Sequence, residues 1–339
     1  MGGITVGKPV RMADIAQRLD ISVVSVSKAL AGKPGVSEEM RARVVALARE
    51  LGYEGVRVHS ELAGTGNIGV LVSDRFFAEN TFYTSLYRSL VLKSGGEGLT
   101  CMMEIVSQEA ERGAALPALV TGRKVDGVIF MGNLEPAYLR AVEDTGLPCL
   151  ALDFHVPGVA QDCIVSDNLD GGFALTEHLL AHGRRKIGFV GSIRATSSIM
   201  DRYLGYQRAL RLAGIIPREE WLLEDRGEDG AFLPLCLPGQ LPEAFLCSCD
   251  EVAYNLVDAL RRVGVRVPED VAVCGYDDFR FATLCQPPLT TYRVSVEQMA
   301  AAAVAWLARK IRRDDPPDTM MWTVPGHLIV RESTGVQIG

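Results

Sequence analysis

From Asn67 onward the chain alternates two kinds of segment, and this alternation limits the possible fold more than any other feature. "IGVLVSD", "LTCMMEIV", "DGVIFMGN" and "PCLALDF" are apolar runs of strand length, and stretches with helical patterning such as "FYTSLYRSLVLKSGGEG" separate them. The logic recurs in "RKIGFVGSI", "RYLGYQRALRLAGI", "EAFLCSCDEVAYNLVDALRRVG" and "VAVCGYDD". A strand apolar on both sides must be covered on both sides, so this order predicts parallel sheets between helix layers. Two such runs predict two similar lobes. Ligands of open parallel sheets bind outside the carboxyl ends of the strands, which puts a ligand cleft between the lobes.

At 339 residues the chain is too long for one small core, and length alone predicts two or three domains. A net charge of −7 argues against nucleic-acid binding by the chain as a whole. The charge is uneven, however. The first 63 residues hold nine Lys/Arg against seven Asp/Glu, a net of +2, and the remainder carries −9. A locally basic start on an acidic body suits a small DNA-contacting module. The eight cysteines form one close pair, Cys247 and Cys249, with no second pair or histidine at ligand spacing. They predict no metal site and no cofactor, and read as small apolar residues of a reducing compartment. The N-terminus has no long apolar stretch, and no run approaches the ~18 residues of a membrane span. The expected location is the cytoplasm, with no membrane partner.

In "RMADIAQRL", Met12, Ile15, Ala16 and Leu19 recur on one face of a short helix. Ser22 is suited to cap a second helix over residues 23–30, with Val26, Ala29 and Leu30 inward and Val23, Val24, Ser27 and Lys28 outward. So tight a turn between two short helices predicts a helix-turn-helix. "GKPG" ends the second helix, Ser37 caps a third, and Met40, Val44, Leu47 and Leu51 form its apolar stripe.

"MADIAQRLDISVVSVSKALAGKPGVSEEMRARVVALARELGY" resembles the headpiece of the lactose-repressor (LacI) family of bacterial transcription regulators, densely and over about forty consecutive positions. In that family the second helix lies in the DNA major groove. The resemblance therefore implies that Ser22, Val23, Val24, Ser27 and Lys28 face DNA. Lys28 stands where the family usually has Arg, and an ammonium cannot fork onto guanine as a guanidinium does. The following stretch, "GYEGVRVHSELAGTGN", matches the family's hinge helix. Leu62 falls at the position of the leucine that wedges into the minor groove, and Arg57 is placed to reach phosphate. Gly55, Val56 and His59 depart from the family pattern, and glycine makes the hinge costlier to order.

The resemblance continues through residues 67–333 and implies an effector domain built like the periplasmic sugar-binding proteins. Ser73 and Asp74 follow the first strand, and Asp153 follows "LAL". Arg202 in "DRYLGY" matches the family's ligand arginine, and Asp277 in "GYDDF" its ligand aspartate. Cys249 stands where the family often has Asn. Phe82, with Phe76, Phe77, Tyr83 and Phe154, is a candidate for an apolar face. An arginine facing carboxylates suits a polyhydroxylated ligand, so the expected effector is a small polar molecule of the carbohydrate kind. Residues 224–245 hold three prolines and little helical period where the family has an amphipathic helix, which predicts a loop.

The expected organisation is a helix-turn-helix headpiece at 1–53, a hinge at 54–66 and an α/β two-lobed, periplasmic-binding-protein-like effector and dimerisation domain at 67–339. Lobe one spans about 67–165 and 292–322, and lobe two about 166–291 and 323–333. The expected partners are near-palindromic operator DNA, a small effector and a second copy of the chain, because the tail "RESTGVQIG" has no heptads for a tetramer. Two rival readings remain. A cytosolic two-lobed binding protein leaves the helix-turn-helix unexplained. An enzyme lacks a nucleophile elbow, a P-loop or a dinucleotide fingerprint.

Overall fold

The computed structural model describes residues 10–30, 35–51, 64–77, 81–159, 162–227, 230–314 and 319–335. The chain divides into two units, Met1–Gly64 and Thr65–Gly339.

The first unit is built from α1 (Met12–Leu19), α2 (Val23–Leu30) and α3 (Glu38–Glu50). Arg11 N–H donates to Asp14 Oδ2 at 2.7 Å, satisfying a donor at the mouth of α1. The helix stops at Asp20, which adopts the left-handed conformation and returns its N–H to Ala16 O. The Ser22 hydroxyl accepts from Ser25 N at 3.0 Å, and the Ser37 hydroxyl from Met40 N at 3.3 Å, so both later helices carry the expected serine caps. Ile15, Ala16, Val26, Ala29, Leu30, Val44 and Ala48 close one small core. The hinge at 54–66 falls almost wholly outside the described residues, and Arg57, Leu62, Gly55, Val56 and His59 lie there.

The second unit contains, in order, β1 (Asn67–Ser73), α4 (Asp74–Phe77), α5 (Thr81–Gly96), β2 (Thr100–Val106), α6 (Gln108–Arg112), α7 (Ala118–Thr121), β3 (Gly127–Met131), α8 (Pro136–Glu143), β4 (Cys149–Leu152) and β5 (Cys163–Ser166). The second run is α9 (Asn168–Ala181), β6 (Ile187–Val190), α10 (Ser197–Leu212), β7 (Leu222–Leu223), β8 (Ala244–Cys247), α11 (Asp250–Arg262), β9 (Ala272–Cys274) and α12 (Arg280–Leu284). β10 (Thr291–Arg293), α13 (Val296–Arg312), β11 (Met321–Val324) and β12 (His327–Ile329) complete it.

These strands form two parallel sheets, ordered β11-β5-β4-β3-β1-β2 and β7-β6-β8-β9. Each reverses direction once, between β1 and β3 in the first and between β6 and β8 in the second, and such a reversal opens a crevice at the strand ends. α13 returns the chain to the first lobe, packing on α5 and on β3, β4 and β5. β11 pairs along its length with β5, so Thr323 and Val324, assigned from sequence to the second lobe, sit in the first lobe's sheet. β12 pairs antiparallel with β10, which ties the last crossover together.

α9 and α10 touch backbone to backbone. A Cβ on Gly172 would run into Arg202 O, and one on Gly205 into Leu169 O. Only glycine permits that approach. It sets Arg202, on α10, beside Asn168 at the start of α9. Between Leu223 and Ala244 no helix forms among the described residues, as the prolines predict.

Candidate functional site

The exposed face of α2 is the first candidate site. Ser22, Val23, Val24, Ser27 and Lys28 are all exposed, with Val23 and Val24 at 47% and 63%. Val26, Ala29 and Leu30 on the other face are buried. Two large β-branched side chains left in water on a helix whose other face already fills a core have no packing role within the unit, and with Lys28 they offer methyl groups and a cation together.

The second site lies between the two lobes of the larger unit. A cavity of about 60 Å³ is lined from the first lobe by Phe82, Tyr83 and Asp153, and from the second by residues that include Thr196, Arg202, Arg226, Ser248, Cys249 and Asp277. The lobes touch around it. The Ser198 hydroxyl donates to Asp153 O at 2.7 Å, His155 N–H to Ser197 Oγ at 3.2 Å, and the Phe82 and Phe279 rings meet edge to face at 5.5 Å.

Arg202 is nearly buried and its guanidinium is held on every side. Nε donates to Asn168 Oδ1 at 2.8 Å, Nη1 donates to Ser248 O at 2.6 Å, and the carbon centre sits 3.8 Å over the Tyr276 ring. Nη2 is 3.5 Å from Asp277 Oδ1. Asp153, just after β4, and Asp277, three residues after β9, have φ of 72° and 102°, conformations that cost a residue with a side chain on the order of 1–3 kcal/mol. Tyr83 Oη donates to Asp153 Oδ2 at 3.0 Å, yet Asp153 Oδ1 and Asp277 Oδ1 are buried without a hydrogen-bond partner. Burial pushes the Asp153 carboxyl up to about 6, against the pull of Arg202 and the Tyr83 hydroxyl. Burial also pushes Asp277 up to about 7, with Arg202 opposing and Asp153 adding to the rise. Strained backbone and two buried acceptors without hydrogen bonds on opposite lobes make this cleft a candidate site for a ligand donor.

Sequence reasoning placed Phe82, Asp153, Arg202, Cys249 and Asp277 here, and the cleft brings all five together. It does not bring in Ser73 or Asp74. Ser73 is fully buried and its hydroxyl donates to Glu111 Oε2 at 2.9 Å, because the last residue of β1 points into the lobe. Asp74 is exposed at the start of α4. Phe154 belongs to the first lobe's core. Cys249 is the N-cap of α11, and burial raises its thiol to about 12, so it has no thiolate character. His178 is held down to about 4 by burial and by His182, and its ring nitrogen meets Thr334 Oγ1 at 3.0 Å, a structural contact.

Arg226, Phe232, Thr196 and Ser248 were missed. Thr196 had a legible signal, since it caps α10 by accepting from Ile199 N at 3.1 Å. Arg226 had none: it sits in the helix-free segment and is fixed by Asp225, with Nε to Oδ1 at 3.1 Å and Nη2 to Oδ2 at 2.8 Å. Buried Asp225 also accepts from Ser192 N and the Ser248 hydroxyl, each at 2.8 Å. Burial works against its ionisation, but the Arg226 guanidinium and these donors hold it below the usual carboxylate range. Among the described residues no group of His, Cys, Asp and Glu could hold a metal ion, and no helix is long and apolar enough to cross a membrane.

A helix-turn-helix unit carried by the same chain as a two-lobed ligand cleft defines a DNA-binding regulator under the control of a small molecule. Comparison with known proteins agrees. The model of bacterial regulatory proteins of the lacI family matches residues 11–55, and that of a periplasmic binding protein-like domain matches residues 176–334. The HTH-type transcriptional repressor PurR of Pectobacterium carotovorum subsp. carotovorum (strain PC1) is 28% identical over 313 residues, 89% of this chain and 91% of that protein. Two solved structures share the fold at 24% identity, each covering 96% of this chain and 99% of theirs. One is a transcriptional regulator CelR–cellobiose complex, with a TM-score of 0.69. The other is the lac repressor dimer bound to operator and the anti-inducer ONPF, with a TM-score of 0.68. The chain joins a segment that matches the lacI family of bacterial regulatory proteins to a periplasmic binding protein-like domain, the make-up of a DNA-binding transcriptional regulator controlled by a small-molecule effector.

Proposed function

We propose that this regulator is a cytoplasmic homodimer that binds a near-palindromic operator and represses transcription, and that its effector is a neutral, hydroxyl-rich molecule of the carbohydrate class. Ser22, Val23, Val24, Ser27 and Lys28 present the face that enters the major groove, with the valines against thymine methyls. Arg57 and Leu62 contribute from the hinge, Leu62 as a minor-groove wedge. Two-fold pairing through the larger unit presents two headpieces to two half-sites. Similar proteins support this reading: the CelR complex holds cellobiose, which favours the effector class, and the lac repressor binds operator as a dimer, which favours the assembly.

The observation that carries the effector reading is the pair of acceptors without a hydrogen bond, Asp153 Oδ1 and Asp277 Oδ1, buried on opposite lobes of one cleft, the latter with only the 3.5 Å ion pair to Arg202. Hydroxyl donors would satisfy both. Arg202 has spent its Nε and one terminal nitrogen on protein acceptors and its charge on Asp277, so little remains for an anionic ligand. A ligand that bridges the two acids binds one lobe arrangement better than the other, as control of a DNA-binding unit requires.

The test has two arms. Full-length protein is screened for thermal stabilisation by sugars, sugar phosphates and nucleobases, since a specific ligand raises stability by mass action. Fluorescence anisotropy with duplexes selected from a random pool then reads DNA binding with and without the hit. Neutral sugars are expected to stabilise and to change operator affinity. Stabilisation by phosphorylated sugars or nucleobases alone would overturn the effector class, and a selected site without two-fold symmetry would overturn the dimeric reading.

A further inference from the structure

The inner cleft is small for what it has to hold. About 60 Å³ lies among Asp153, Arg202 and Asp277, whereas small-molecule sites run to roughly 300–1,000 Å³. A second chamber of about 390 Å³ adjoins it, and Arg226 lines both. Its other lining side chains include Asn133, Glu135, Ser192, Arg194 and Glu224.

These residues follow strand ends of both lobes. Asn133 lies just beyond β3, Arg194 beyond β6 and Glu224 beyond β7. The chamber is therefore part of the same interlobe crevice, on the side where the first sheet reverses direction. Part of its wall is already satisfied. The Ser192 hydroxyl accepts from Asp225 N and Arg226 N and donates to Arg226 O, and Arg75 is bound to Glu111 at 2.6 Å. Asn133 is half-buried and Arg194 and Glu224 are exposed, and none of the three makes a side-chain hydrogen bond or ion pair among the described residues, so an amide, a cation and an anion at the chamber's wall can exchange water for a ligand. Opposite charges on the wall cancel, which suits a neutral polar occupant better than a phosphate or carboxylate.

Arg226 divides the two spaces as a fixed partition. Asp225 grips one edge of its guanidinium, and Phe232 covers its face at 5.0 Å. Of its five N–H groups two go to Asp225, which leaves three for a molecule lying across it. Phe232 also lines the inner cleft, and it stands there because the chain between β7 and β8 forms no helix among the described residues, as the prolines predict.

Building on the carbohydrate reading above, we propose that the effector is a neutral oligosaccharide of at least two sugar units, one held by Asp153, Arg202 and Asp277 and the next in the Asn133–Arg194–Glu224 chamber, with Arg226 bridging them.

Calorimetry with the full-length protein tests this. The probes are D-glucose, D-galactose, D-mannose and D-xylose, with the homo-disaccharides and trisaccharides of each. One disaccharide should bind at least about tenfold more tightly than its own monosaccharide, the increment of two or three further hydrogen bonds. Ala195→Trp, which fills the outer chamber from its wall, should remove that advantage and leave monosaccharide affinity within about twofold. Asn133→Ala, which deletes one outer contact and adds no bulk, should weaken the disaccharide alone by about threefold or more and serves if the tryptophan variant does not fold. A disaccharide no tighter than its monosaccharide, or equal losses of both in the variants, would overturn the second compartment and leave the carbohydrate reading standing. Binding of none of the probes would overturn both.

Discussion

Replacing Arg202 by alanine should destabilise the larger unit as well as abolish effector response, and the loss should depend on pH. The guanidinium makes hydrogen bonds of 2.8 and 2.6 Å to Asn168 and Ser248, lies on Tyr276, and is the cation that opposes the rise of both Asp153 and Asp277. Removing one partner of a buried ion pair costs about 3–5 kcal/mol, because the remaining charge is stranded. Two carboxylates would be stranded here. Their folded-state values, about 6 and about 7, already exceed the usual 3.8, and without Arg202 both go higher. A raised acid means that the folded state binds more protons than the unfolded one. The contribution of this acid pair to stability is thus greatest at low pH and declines as pH climbs from ~4 through the folded values, further in the variant than in the parent. At pH 8 the variant should be less stable than the parent by about 3–5 kcal/mol. At pH 5.5, where both acids can take up a proton, the difference should shrink to the hydrogen bonds alone, on the order of 1–3 kcal/mol. Urea unfolding followed by fluorescence at the two pH values measures this. Arg202→Ala combined with Asp277→Asn should recover part of the loss at pH 8. An equal difference at both pH values, or a loss below about 1 kcal/mol at pH 8, would refute the idea that Arg202 neutralises the acid pair.

Gly205→Ala should cost about 1–3 kcal/mol or more, because the added Cβ meets Leu169 O and Phe173 N of α9, and backbone cannot give way as a side chain does; calorimetry showing an unchanged melting temperature would contradict the close α9–α10 contact. Ser22→Ala should lower headpiece stability by about 1 kcal/mol through loss of the 2.9 and 3.0 Å contacts to Ser25, read in the isolated operator-free protein by hydrogen exchange in α2. Lys28→Ala should weaken operator binding and flatten its salt dependence by about one counterion; an unchanged slope would mean the ammonium does not touch DNA. Sugar affinity should rise between pH 5.5 and pH 8, since ionised Asp153 and Asp277 accept hydrogen bonds better than their protonated forms, and a flat calorimetric profile would remove both from the site.

Local chemistry made much of this protein legible before any coordinates. Serines at 22 and 37 announced helix starts, and apolar runs such as "IGVLVS" announced buried strands, because caps and strands depend on residues only a few positions apart. The same holds for the missing helix after Leu223, which the prolines forbid. Arg202 and Asp277 were found by likeness to a family rather than by any local rule. What the sequence could not show is pairing between distant segments. Ser73 ends a strand and Asp153 directly follows one, yet a buried Glu111 claims Ser73, and nothing in the sequence around it announces that. Arg226 enters the cleft only because Asp225 is held by Ser192 and Ser248, which are 33 and 23 residues away. The sequence by itself determined the elements, their order and the helix-turn-helix face. The tertiary structure alone decided which polar side chains satisfy one another and which are left with unpaired atoms in the cleft, because a buried hydrogen bond is settled by the meeting of chain segments that no local pattern records.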